Sequence, residues 1–297
     1  MAASHYENFP VASWILGGRR RHHVAAVYAF ARTADDLADE PDYPEPGVTP
    51  EKRLANLDQW QSHLTLAFEG RASHPAFVAL SATARELGLP KNLFEDLLSA
   101  FRQDVMKSRY ENLDEVRDYA RRSANPVGRL VLRIWGITDP RADACSDAIC
   151  SALQLVNFWQ DVSKDYVERD RIYLPRDRMV HHGVSETELR AGPVTAGYRN
   201  LLEEMNQTAA QLFEAGRPLP SMLPFPLSLW LRWVWLGGTA IGRRLRLAGY
   251  DVFSRRPVLT GPDMVKLLLR GLFPLGGRPA LPSGRMLAAA TVSKEAA

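Results

Sequence analysis

The stretch HHVAAVYAFARTADDLAD, residues 22–39, sets apolar side chains at Val24, Val27, Phe30/Ala31, Ala34 and Ala38. Spacings of three and four put these positions on one side of an α-helix, not on alternating faces of a strand. The same period returns at Leu54, Leu57, Trp60 and Leu64, again at Leu93, Leu97, Phe101 and Val105, and over residues 114–135, 146–168, 198–214 and 228–248. Breaks separate these segments. EPDYPEPGVTP (40–50) stops the first with Pro41, Pro44, Pro46 and Pro50, and within it Thr49-Pro50-Glu51 has the makeup of a helix start, Thr49 as cap and Pro50 in the first turn. Pro175 ends a further segment. No stretch alternates long enough to read as a sheet, and nothing repeats at a period of about 20–50 residues. The pattern predicts an all-α chain, a single domain over residues 1–273, followed by a poorly ordered tail over 274–297.

Composition narrows the function classes. With 297 residues, 46% hydrophobic and 24% charged, the chain can bury a sizeable core and is not wholly disordered. A net charge of +3 is too small an excess to argue for a nucleic-acid partner. Cys145 and Cys150 match neither a zinc pattern nor a disulfide framework, which favours a reducing, cytoplasmic setting. MAASHYENFP lacks the layout of a signal peptide. The uncharged stretch Pro218–Leu231 is broken by prolines and stopped by Arg232, so it does not read as a spanning helix. LWLRWVWLGG (229–238) offers Trp230, Trp233 and Trp235 for peripheral contact with the inner face of the plasma membrane; the competing expectation is a buried helix lining an apolar cavity. His22-His23 and His181-His182 read as solvent-facing or loop pairs with no third metal ligand, and Arg19-Arg20-Arg21 as a solvated helix start.

Two acidic clusters carry the chemistry. In Asp35-Asp36-Leu37-Ala38-Asp39, Asp35 and Asp39 lie one helical turn apart and Asp36 sits three residues before Asp39. Three carboxylates on one face repel one another, yet they are hard oxygen ligands suited to a magnesium ion that bridges to phosphate. A solvated acidic face explains the same spacing equally well. Tyr28 and Arg32 precede Asp36 at the same turn spacing, so a phenol and a guanidinium share the stripe; Arg32 can pair with an acid or hold a phosphate oxygen. In the second cluster Asn157, Asp161 and Asp165 fall at i, i+4 and i+8, with Gln154 one turn earlier and Leu153, Val156 and Phe158 beside them. Acids among apolar neighbours need partners or a metal. Two helices, each with aspartates one turn apart, suit the clamping of magnesium ions around a diphosphate.

The residues Tyr28-x-Phe30-x-Arg32-x-x-Asp35-Asp36-x-x-Asp39, Gln154-x-x-Asn157-x-x-x-Asp161-x-x-x-Asp165 and Arg171-Ile172-Tyr173-Leu174-Pro175 resemble those of the squalene/phytoene synthase family. Asp104, Tyr119-x-x-x-x-Ala124-x-x-Val127-Gly128 and Gly249-Tyr250-Asp251-Val252-Phe253 extend the resemblance. It implies a class I isoprenoid synthase fold, all-α with a central cavity, whose two aspartate motifs bind magnesium and a substrate diphosphate from opposite walls. Within the family, HYENFPVAS (5–13), SANPVG (123–128) and NFWQD (157–161) resemble the bacterial branch of hopanoid and squalene biosynthesis. Members of that branch convert presqualene diphosphate and water to hydroxysqualene and diphosphate. A separate enzyme that makes presqualene diphosphate and a flavin-dependent one that makes squalene are then the implied partners.

On this resemblance Asp35, Asp39, Asn157, Asp161 and Asp165 are the expected magnesium ligands. Asp35, Asp36, Asp39, Asp161, Asp165 and Tyr28 are the expected catalytic residues. Phe9, Arg32, Tyr119, Val127, Gly128, Gln154, Asn157, Arg171, Tyr173 and Arg256 are expected to line the substrate. The aromatic faces of Phe9, Tyr28, Tyr119 and Trp159 are candidates for cation stabilisation or for the core. Tyr28, Asn125 or an aspartate can position the attacking water. Departures from the condensing members at Asn125, Gln160 and Thr239 favour the water-capturing half-reaction. The alternatives are a head-to-head prenyl transferase making presqualene diphosphate, squalene or phytoene, and a helical assembly factor without catalysis.

Overall fold

A computed structural model describes residues 18–40, 42–192 and 194–275, with the backbone alone of Arg19. Phe9, the HYENFPVAS stretch and all but Pro274 and Leu275 of the expected tail lie outside the described residues. The chain is all-α. Among the described residues the β-type pairing is confined to an isolated parallel bridge between Arg109 and Ile172. The described residues group into two compact units, one within residues 18–108 and 118–138, the other within 109–117 and 139–275.

The first unit contains α1 (Gly18–Asp39), α2 (Pro50–Phe68), α3 (Pro75–Leu87) and α4 (Lys91–Met106); α5 (Leu113–Ser123) divides its residues between the two units, and α6 (Asn125–Ile134) completes the first. The apolar stripe read along residues 22–39 is the buried side of α1, with Val27, Phe30, Ala34, Leu37 and Ala38 in the core. Phe30 is fully buried and meets Phe77 and Phe94 edge-on at 5.8 and 5.2 Å. Trp60 stacks beside it and donates its indole N–H to the Phe30 carbonyl at 3.3 Å. The expected cap holds: Thr49 Oγ1 accepts from the Lys52 amide, with Pro50 in the first turn of α2. The periodic segment 114–135 is two helices that meet at Ala124, two residues before Pro126, whose ring has no N–H to continue the first helix's ladder.

The second unit contains α7 (Pro140–Gln160), α8 (Val162–Arg169), α9 (Arg176–His181), α10 (Glu186–Ala191), α11 (Ala196–Gly216), a 3₁₀ turn (Leu219–Met222), α12 (Leu227–Leu247) and α13 (Gly261–Gly271). Helices α7 and α11 share the largest packed face of the unit. Gly238 lets α12 close on them, since a Cβ there would collide with Phe213 and Leu153. Trp230 and Trp235 are buried and Trp235 donates to the Phe213 carbonyl at 2.7 Å, so the expected tryptophan surface is mainly core. The expectation for His23 is corrected, whereas His182 does lie in the turn after α9. His23 is buried against Thr83 at 3.1 Å, and His182 bonds Glu204 at 2.7 Å.

Candidate active site

The first acidic cluster lies along the C-terminal turns of α1. Arg32 donates to Asp35 at 2.9 Å and pairs with Asp36 at 2.6 Å, so the guanidinium is held by acids of its own helix. Asp35 is pushed up to a pKa of about 7, first by burial and then by the Asp39 charge, with Asp104 and Asp36 adding and Arg32 opposing. Its side chain retains 39% of its exposure, so solvent can reach the carboxyl even though surrounding protein disfavours its charge. Asp104, on α4, is buried and accepts from the Tyr119 hydroxyl at 2.6 Å. The site reading omitted Asp104, although one sign of it is local: an acid on the apolar stripe of Leu97, Phe101 and Val105. Tyr119 is a buried partner of that acid, whereas Tyr28 is 39% exposed one turn before Arg32. Asn125 is buried at the start of α6, and Val127 and Gly128 are half-buried in its first turn.

The second cluster straddles a helix break. Asp161 ends α7 and precedes α8, with φ −106° and ψ 12°. The Asp161 amide still bonds the Asn157 carbonyl and the Asp165 amide the Asp161 carbonyl, at 2.9 and 2.8 Å. The four-residue spacing therefore survives the kink. Asp161 and Asp165 are buried, while Gln154 and Asn157 are half-buried. Arg256 forms a two-pronged pair with Asp161, through Nε and, at 2.9 Å, Nη2. Gln160 is buried and donates to the Pro257 carbonyl. Together these bonds strap the 256–257 segment over the α7–α8 junction. A cavity of about 260 Å³ opens beside it, lined by Gln160, Asp161, Lys164, Glu168, Val252 and Arg256 among others.

The RIYLP stretch is buried. Tyr173 stacks on Phe158 with centroids 3.7 Å apart, and Arg171 donates to the Tyr173 hydroxyl at 3.2 Å. Trp159 is fully buried, which places it in the core. Thr239 returns its hydroxyl to the Trp235 carbonyl of its own helix at 2.9 Å.

Among the described residues, no three acid, histidine or cysteine side chains converge as a ready-made metal site. The donor chemistry nonetheless fits magnesium: burial first, and then the neighbouring hard carboxylates, disfavour the charged form of Asp35, a condition that a bound dication reverses.

Residues 2–263 match the family model of the squalene/phytoene synthases. The chain belongs to the squalene/phytoene synthase family. It is an enzyme of that family's type, as the first reading of the motifs expected. It is 40% identical over 222 residues to a hydroxysqualene synthase of Sinorhizobium fredii (strain NBRC 101917 / NGR234), covering 74% of this chain and 73% of that one. A hydroxysqualene synthase of Rhodopseudomonas palustris is 40% identical over 214 residues, covering 72% and 70%. The crystal structure of squalene synthase HpnC from Alicyclobacillus acidocaldarius matches with a TM-score of 0.76 and 41% identity, over 84% of this chain and 91% of that one. The helical fold is thus that of the class I isoprenoid synthases. No described helix is long and apolar enough to cross a membrane.

Proposed function

We propose that this family member converts presqualene diphosphate and water to hydroxysqualene and diphosphate. The observation that carries the reading is the 40% identity, over more than 70% of the chain, to relatives named hydroxysqualene synthases. Gln160 supports it: where condensing relatives place an arginine, this chain has a buried neutral amide whose N–H is taken by the Pro257 carbonyl. Asp35, Asp39, Asn157, Asp161 and Asp165 would hold magnesium, which would neutralise charge on the departing diphosphate. Arg32 and Arg256, each paired with an aspartate, would exchange that partner for a phosphate oxygen. Tyr28 presents an exposed aromatic face on the same helix, one turn before Arg32. The carbon–oxygen bond to diphosphate breaks with the electron pair leaving on oxygen. The cyclopropylcarbinyl cation rearranges, water adds to carbon, and one proton is lost. On this reading one enzyme supplies presqualene diphosphate and a flavin-dependent enzyme consumes the alcohol.

The test is product analysis in isotopically labelled water. With presqualene diphosphate and magnesium the product is an alcohol carrying label in its hydroxyl, and a nicotinamide cofactor does not turn it into a hydrocarbon. Presqualene diphosphate formed from farnesyl diphosphate alone, at a rate matching alcohol formation, would identify a head-to-head prenyl transferase instead.

A further inference from the structure

Helix α13 is attached by a narrow stripe. Asp263, Leu267 and Gly271 face inward at successive turns, and the rest of the helix is exposed. Gly271 is buried against Trp233, whose indole N–H bonds the Leu268 carbonyl at 3.1 Å, and a Cβ at 271 would strike that ring. Asp263 pairs with Arg244 of α12 and caps its own helix through Thr260. At 100° per residue, Met264, Val265, Leu268 and Leu269 fall on one arc, which Leu272 and Phe273 continue beyond the last turn. All of these are large apolar side chains between 44% and 64% exposed. Lys266 and Arg270 stand at one edge of the arc. No acid lies on it, because Asp263 is turned to Arg244.

We propose that this face is a docking surface for an anionic lipid bilayer, with the Met264–Phe273 arc set among the acyl chains and Lys266 and Arg270 at the headgroups. Charge decides the occupant. A second copy docked through the same helix face would bring the same basic rim and no acid to meet it. Residues 276–297 carry Arg278, Arg285 and Lys294 against the single acid Glu295, so they too lack a complement. An anionic membrane complements both the apolar arc and its rim. Eleven residues span only about 16 Å, so the helix lies in the interface and does not cross it. The inference rests on α13 itself and not on which isoprenoid reaction the enzyme performs.

The experiment is flotation of the full-length protein with vesicles of phosphatidylcholine, with and without about one third phosphatidylglycerol. Three proteins are compared: the natural chain, Leu269→Glu/Phe273→Glu, and Lys266→Glu. Both altered apolar positions are more than half exposed, so the melting temperature should stay within about 2 °C of the natural chain. The natural chain should float with the anionic vesicles and bind less in about 0.5 M salt. The double variant should lose tenfold or more of its partitioning. Lys266→Glu should lose about five- to tenfold on anionic vesicles and little on neutral ones. The proposal fails if the natural chain stays unbound on anionic vesicles, or if the folded double variant floats equally well. It also fails if sedimentation shows a dimer that the double variant dissolves while vesicle binding is absent, since a second copy then covers the face.

Discussion

Asp35 and Asp161 occupy equivalent places in their motifs and opposite electrostatic situations. Asp35 sits among Asp36, Asp39 and Asp104, with Arg32 drawing against them. Asp161 is 5% exposed and neutralised by Arg256. The same substitution should therefore separate catalysis from stability. If both acids hold magnesium, Asp35→Asn and Asp161→Asn each lower turnover on the order of a hundredfold or more. In chelator, Asp35→Asn should melt no lower than the natural chain, because losing a crowded carboxylate relieves repulsion. Asp161→Asn should melt lower by the equivalent of about 1–2 kcal/mol, discounted for the partly exposed Arg256 whose ion pair is lost. Steady-state kinetics and thermal melts decide it; retention of most activity in both variants removes the metal role. The acid spacing was legible at this scale because it is local. The Asp161–Arg256 pair spans 95 residues and no local pattern announces it. Asp104 was legible as part of the family resemblance and as an acid on an apolar stripe, but its bond to Tyr119, fifteen residues on, was not.

Among the elements, the long periodic segments became α1, α2, α4, α7, α11 and α12 because each buries the stripe that the spacing marks. The α7–α8 break escaped the reading for a physical reason. Its four-residue hydrogen bonds persist through Asp161 while only the dihedral angles depart, so periodicity is undisturbed. Helices α3 and α13 were not read as elements either. In α13 an exposed apolar arc has the same pattern as a buried one, and only distant α12 shows which side is covered. Its cap yields a pH prediction. Thr260's hydroxyl and amide, with Arg244 adding, hold Asp263 down to about 2. The folded value lies below the unfolded one, so the stabilisation is complete above about pH 4 and is lost as pH falls through about 2. Amide exchange over residues 261–271 should be faster in Asp263→Asn than in the natural chain at pH 6, and the difference should narrow as pH drops below about 4. A difference unchanged at low pH would mean that the carboxylate charge does not secure the helix.

For the whole molecule, the acidic pairs stand on elements locked by large cores, α1 through Phe30, Trp60, Phe77 and Phe94, and α7 through its long contact with α11. Such supports fix the carboxylates before any ligand arrives, so ligand binding should appear as added stability of the intact chain rather than as folding. A ligand at a hundredfold its dissociation constant stabilises by about 2.7 kcal/mol, which for a chain of this size is a rise of several degrees in melting temperature. Magnesium with inorganic diphosphate should therefore raise the melting temperature of the natural chain by several degrees. Diphosphate with chelator should raise it much less, because Asp35, Asp36 and Asp39 repel an anion that no cation bridges. Asp35→Asn should blunt the magnesium-dependent rise even though its own melting temperature in chelator is unreduced. That combination, a variant at least as stable yet less responsive, separates a lost metal ligand from general damage. A full rise in Asp35→Asn would show that the α1 acids take no part in holding the ion.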